Sequence, residues 1–207
     1  MKKPMSEPSQ PSSTSTVRAE IDELRGEVER LAAELADMRA HASMLEAIAL
    51  EDPLTGLLNR RGFFRDVARA IAYRARYGTP IAVMLADLDA FKPINDQYGH
   101  EAGDQALAHV ATLLRRNIRA SDSLGRLGGD EFALVLWHVD EENARMKAAS
   151  LEAIVTSTPL RHKGLTLSLG ASIGYTMLGP KDTPEEALTR ADRSMYDRKI
   201  ERNAPMR

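Results

Sequence analysis

From Val17 onward, apolar residues recur at alternating spacings of four and three: Val17, Ile21, Leu24, Val28, Leu31, Leu35, Met38, Ala42, Leu45 and Ala49. A seam of this kind, made of heptad a and d positions, predicts a coiled-coil helix over residues 17–50. A single such helix leaves an apolar stripe in water, and the flanking charges favour a second copy as its cover. In a parallel pair Glu20 of one copy faces Arg25 of the next, and Glu34 faces Arg39. One amphipathic helix folded back on its own domain is the competing arrangement. Gly26 and the alanines at 42 and 49 make the seam moderate in strength.

The heptads stop at "LEDPLTGLLNRRGF", where Pro53 disfavours helical geometry at Asp52 and Gly56 adds a further break. A domain is therefore expected over 51–203. Its pattern reads as a helix near 60–77, the strand "PIAVMLADLD", a helix near 101–117, a glycine hairpin into the strand "FALVLW", a helix near 140–157, the strand "LTLSLGASIGYTM" and a helix near 184–200. Interleaving of this kind implies an α+β (α/β layered) fold with a βαββαβ core, an antiparallel hairpin at its centre and helices on one face of the sheet. Residues 1–16, rich in Ser, Pro and Thr, are expected to be a disordered tail, and 204–207 a short C-terminal tail.

Composition narrows the possible partners. With 28 Lys plus Arg against 30 Asp plus Glu, the net charge of −2 argues against nucleic acid as the main ligand. The absence of cysteine removes disulfides, thiolate metal sites and thiol nucleophiles. No run of about 18 apolar residues suggests a membrane span, and no apolar segment follows Lys2 and Lys3, so a cytoplasmic location is expected. No phosphoreceiver or ligand-sensing domain is expected in residues 1–50, so regulation is expected to act through the helix or through an upstream sensor protein.

Two acidic clusters carry the candidate chemistry. In "RLGGDEFALVL", Gly128 and Gly129 suit a two-residue hairpin because glycine reaches positive φ without steric cost. Asp130 and Glu131 are harder to explain, since adjacent acids repel and here precede an apolar run. Either they are solvated on a surface turn, or something positive sits against them. In "MLADLDAFK", Asp87 and Asp89 share one face of a strand while Leu88 points to the other. If the two strands are neighbours, carboxylates converge at one sheet end and offer an all-oxygen site for Mg²⁺ or Mn²⁺, ions that serve phosphoryl chemistry. Lys92 stands close enough in sequence to reach a phosphate, or is an ordinary solvated lysine. Asn95 and Asp104 flank "DQYGHEAG". A carboxylate at 104 suits the paired N–H groups of guanine, and it equally suits the N-cap of the helix that follows. Arg119 and Asp122, in "RASD", form either a surface ion pair or an Arg fork for phosphate beside an acceptor for guanine.

Taken together, "DPLTGLLNRRGF", "DLDAFKPINDQYGHEAGD" and "RLGGDEF" resemble the GGDEF-domain diguanylate cyclases over about residues 50–203. The resemblance implies condensation of two GTP into cyclic di-GMP with release of two pyrophosphates, one GTP being held by each subunit of a homodimer. It implies that Asp130 and Glu131 are catalytic, that Asp87, the Leu88 carbonyl, Asp130 and Glu131 hold Mg²⁺, and that Lys92, Asn95, His100, Asp104, Gly128, Gly129 and Lys199 bind substrate. It makes Arg119 and Asp122 an inhibitory product site. An intact acidic tip separates such an enzyme from a silent receptor of the product. The ending "ADRSMYDRKIERN" departs from the family pattern, so Lys199 aligns and Arg202 does not, and Leu127 stands where an aromatic residue is common.

Overall fold

Strand β1 (Ile81–Asp89) shows no polar alternation until Asp87, the signature of a strand buried on both faces. Ala82, Met84, Ala86 and Leu88 enter one apolar cluster, whereas Ile81, Val83 and Leu85 enter a second. The computed structural model, which describes residues 13–203, sets β1 inside a four-stranded antiparallel sheet. The strand order is β2 (Ser123–Gly128), β3 (Glu131–Trp137), β1, β6 (Gly170–Met177). One face carries α3 (Phe91–Tyr98), α4 (His100–Arg116) and α5 (Glu141–Ser157); the other carries α2 (Arg60–Tyr77) and α6 (Pro184–Asn203). The expected βαββαβ layer is present, but the sheet is covered on both faces. Apolar residues at both parities of β1 make that necessary.

Local chemistry places the helices around this sheet. Asn59 caps α2 by accepting from the Gly62 N–H at 2.9 Å, and Gly78 closes the helix in the left-handed region. Asp140 caps α5 in the same way. Thr183 and Glu186 exchange hydrogen bonds at the start of α6, which is a capping box. Gly174 of β6 lets α6 lie directly on the strand, because a Cβ there would overlap the backbone of Ala191 and Met195.

Two elements differ from the sequence pattern. Residues 91–98, to which the sequence pattern assigns no element, form α3, whose entry requires a left-handed Ala90 at φ 55°. The run 165–177 is not one strand: β4 (Leu160–His162) and β5 (Leu165–Leu167) make a separate hairpin about Lys163 and Gly164, and β6 begins only at Gly170.

The chain divides into two compact units between Ala47 and Ile48. Helix α1 (Ser13–Leu50) starts four residues ahead of the expected Val17. Its seam is exposed: Val17, Ile21, Leu24, Val28, Leu31, Leu35, Met38 and Leu45 are all open to solvent. The tails at 1–12 and 204–207 lie outside the described residues. Among those described, no helix is long and apolar enough to cross a membrane.

Candidate functional site

Antiparallel pairing puts Asp87 directly opposite Glu131, so both side chains leave the α2/α6 face at the same end of the sheet. The Leu88 N–H donates to the Asp130 carbonyl at 3.3 Å and ties the turn to β1, while the Leu88 side chain enters the opposite core. The turn is one residue later than the sequence suggested. Gly128 pairs with Glu131, leaving Gly129 and Asp130 at the tip. Both glycines take positive φ, 148° and 51°, and a bulge between Arg126 and Gly128 bends the strand into the turn.

The electrostatics of this end are one-sided. Burial pushes the Glu131 carboxyl up, and the negative charges of Asp87, Asp130 and Asp192 push it further, opposed by Arg60. The positive charge expected beside the acids lies one strand away. Lys199 of α6 donates to Asp87 at 2.7 Å and lies 3.7 Å from Asp89, and the hydrogen bond it gives to Asp87 raises its own pKa. Asp89 also accepts from Ser172 at 2.8 Å. Among the described residues, no three carboxylates or imidazoles are drawn together at ligand distance. Asp87, Asp130 and Glu131 are nonetheless an oxygen-only set with surplus negative charge, which fits a hard divalent cation.

Glu131 makes stability depend on pH. Because its native pKa is raised above the ordinary 4.5, the folded chain binds more protons than the unfolded chain from there up to the raised value. Stability contributed by this group is therefore lost as pH rises through that window. Glu131→Gln is expected to melt higher than the parent at pH 8, with a smaller difference at pH 4. Thermal melts in chelator at the two pH values check this.

Behind the turn, Arg126 links segments that the sequence leaves 74 residues apart. Its guanidinium donates to both carboxylate oxygens of Asp52, at 3.1 and 3.3 Å, and to the Gly129 carbonyl at 2.7 and 3.0 Å. Burial raises the Asp52 carboxyl, but hydrogen bonds from Thr55 and the charge of Arg126 outweigh it and hold the group below the usual range. Asn59 adds a second tie, donating to the carbonyls of Ala49 and Glu51. Asp52 and Arg126 lie inside the sequence motifs, but no local signal there marks them as partners.

Besides Gly128 and Gly129 at the turn and Lys199 on α6, the residues expected to bind substrate fall on α3 and α4. Lys92, His100 and Asp104 are exposed, and Asn95 is half-buried with its amide against Gly103, where a Cβ would collide with Oδ1. Gly103 thus brings Asn95 beside the turn of helix that bears Asp104. Gly99 occupies the N-cap of α4, so Asp104 is an interior helical residue and the capping reading falls.

Arg119 and Asp122 do not form a plain ion pair. The Asp122 carboxylate accepts from the backbone N–H groups of Arg119 at 2.9 Å and Trp137 at 3.1 Å, leaving the exposed Arg119 guanidinium without an ion-pair partner among the described residues. Hollows of about 510 and 550 Å³ flank this turn, the first lined also by Arg116 and Lys147, the second by Arg69 and Arg115.

An antiparallel βαββαβ layer with an acidic hairpin at one sheet end defines the nucleotidyl-cyclase-like class. Residues 49–204 match the family described as "Diguanylate cyclase, GGDEF domain", and the chain belongs to that family. Diguanylate cyclase DgcP of Pseudomonas aeruginosa is 36% identical over 176 residues, which are 84% of this chain and 26% of that protein. Diguanylate cyclase DosC of Escherichia coli is 38% identical over 146 residues, 70% of this chain and 32% of that protein. The chain thus spans about a third or less of these curated relatives. Among solved structures, the coiled coil and GGDEF domain of DgcB from Caulobacter crescentus, in complex with c-di-GMP, superposes with a TM-score of 0.78 at 27% identity, covering 86% of this chain and 95% of that one. Diguanylate cyclase SiaD of Pseudomonas aeruginosa, in complex with its activator SiaC, gives a TM-score of 0.73 at 28% identity, covering 92% and 73%.

Proposed function

We propose that this chain is a homodimeric diguanylate cyclase that joins two GTP into cyclic di-GMP and two pyrophosphates. The observation that carries this reading is the directly opposed pair Asp87 and Glu131, with Asp130 at the tip between strands. Asp87, the Leu88 carbonyl, Asp130 and Glu131 are the groups to hold Mg²⁺ or Mn²⁺, which supplies charge neutralisation for the phosphates when bound. Asp130 and Glu131, side by side at the tip where the substrate hydroxyl would be held, are the groups to withdraw the 3′-hydroxyl proton. Asn95 and Asp104 select guanine, Gly128 and Gly129 let the backbone approach the nucleotide, and Lys92, His100 and Lys199 serve the rest of the substrate. A hydroxyl held on one subunit must reach a phosphate held on the other, so alignment of two domains is part of catalysis.

The exposed seam of α1 is the surface that aligns them, in parallel, through residues 17–50. Glu34, assigned to an interchain pair, also accepts from Arg30 of its own helix at 2.8 Å through one oxygen, and a carboxylate has acceptor sites for a second arginine. The exposed Arg119 guanidinium, with no ion-pair partner among the described residues, supports the product as an inhibitor. Incubation of the purified chain with GTP and Mg²⁺, followed by chromatography, tests the reading: a cyclic dinucleotide peak is expected, and its absence overturns it. Arg119→Ala is expected to raise the final yield several-fold, because accumulated product no longer halts turnover. Equal progress curves for parent and variant would remove the inhibitory site.

A further inference from the structure

Strand β6 is an edge of the sheet, so the outward N–H and C=O groups of Ile173 have no strand to pair with. Two side chains from opposite faces of the sheet meet there. Glu152 of α5 accepts from the Ile173 N–H at 2.7 Å, Arg198 of α6 donates to the Ile173 carbonyl at 2.9 Å, and the two side chains pair with each other at 3.2 Å. The three contacts close a ring. With side chains only 29% and 19% exposed, this pair meets less competition from water than the open pairs along α1.

Each end of the ring adjoins the acidic site. Arg198 immediately precedes Lys199, whose ammonium lies on Asp87. Ile173 immediately follows Ser172, which donates to Asp89 and stands opposite Asp87 in the β1–β6 register. Close packing of Ala191 and Met195 on Gly174 sets the distance of α6 from the sheet. One such contact acts as a pivot, and a second anchor, at Arg198, stops the end of the helix from turning about it.

We infer that the Glu152–Arg198 ring is a positioning device, resting on the function proposed above, that holds α6 at residue 198 so that Lys199 stays directed at Asp87 and at the phosphate bound beside it. Arg198→Met keeps the aliphatic stem and removes the fork. Glu152→Gln keeps an oxygen for Ile173 and loses the carboxylate that receives Arg198. In steady-state cyclisation of GTP by the full chain, each variant is expected to lower kcat/KM on the order of tenfold, the scale of a misplaced phosphate contact. In a Lys199→Ala background, Arg198→Met should then change nothing further, because the group it positions is gone. Additive losses would assign the ring a structural role only and overturn the inference. Amide exchange gives a readout apart from activity: faster exchange is expected at Ile173 and at 196–200 in either variant, and unchanged exchange there also overturns the ring. If the parent chain makes no cyclic dinucleotide, the proposed function fails, while exchange still decides whether the ring holds the end of α6.

Discussion

Asp130→Ala is expected to erase the cyclic dinucleotide peak while leaving the domain folded. The two halves of this outcome have separate causes. Asp130 holds the turn to β1 through its backbone carbonyl, which alanine retains, so the Leu88 contact survives. Its carboxylate, by contrast, repels Glu131, and its removal relieves a charge conflict rather than breaking a bond. Activity depends on the lost group: removal of one preorganised electrostatic element costs about 10²–10³-fold in typical enzymes, and loss of a cation ligand adds to that. Chromatography of the reaction mixture beside a thermal melt checks both halves. A variant that still turns over at more than a tenth of the parental rate would sink the assignment of Asp130.

Leu31→Pro should separate the α1 helix from the catalytic domain in function. Proline in a helix interior removes a donor and clashes with the preceding turn, at about 3 kcal/mol or more. The seam of α1 is exposed along its length and supplies no burial within one chain to absorb that cost. The domain beyond residue 48 has its own two apolar clusters, built on Met84, Phe132 and Leu107 on one face and Phe63, Val135 and Met195 on the other. The expected result is a folded monomer by sedimentation, with turnover reduced on the order of 100-fold or more at equal concentration. Full activity from such a monomer would show that the helix does not bring the two substrates together.

Much of this architecture was legible in the chain because it rests on short-range rules. The period of "IAVMLADLD", the glycines of "RLGGDEF" and the heptads from Val17 each dictate an element without reference to distant residues. The meeting of Asp87 and Glu131 follows once β1 and β3 are taken as neighbours, whereas the hairpin tip lies one residue beyond its glycine pair. Covering on both faces was also written in β1, in apolar residues at both parities, but interleaved helices alone do not say which side each takes. Helix α3 escaped because eight residues opened by a left-handed alanine carry no capping signal. The links Arg126 to Asp52, Glu152 to Arg198 and Lys199 to Asp87 join residues 74, 46 and 112 positions apart. No local pattern selects such partners; the packing of α2 and α6 on the sheet does. Asp122 is a further case: its carboxylate is engaged by the backbone N–H groups of Arg119 and Trp137 rather than by the Arg119 guanidinium.

The guanidinium of Arg126 behaves as a short rigid strut. It is planar, it is braced at one end by two oxygens of Asp52 and at the other by the Gly129 carbonyl, and its bonds span only 2.7 to 3.3 Å. One side chain thus fastens residue 52 and the Gly129 carbonyl behind the acidic tip to the same planar group, so neither segment shifts against the other without breaking these bonds.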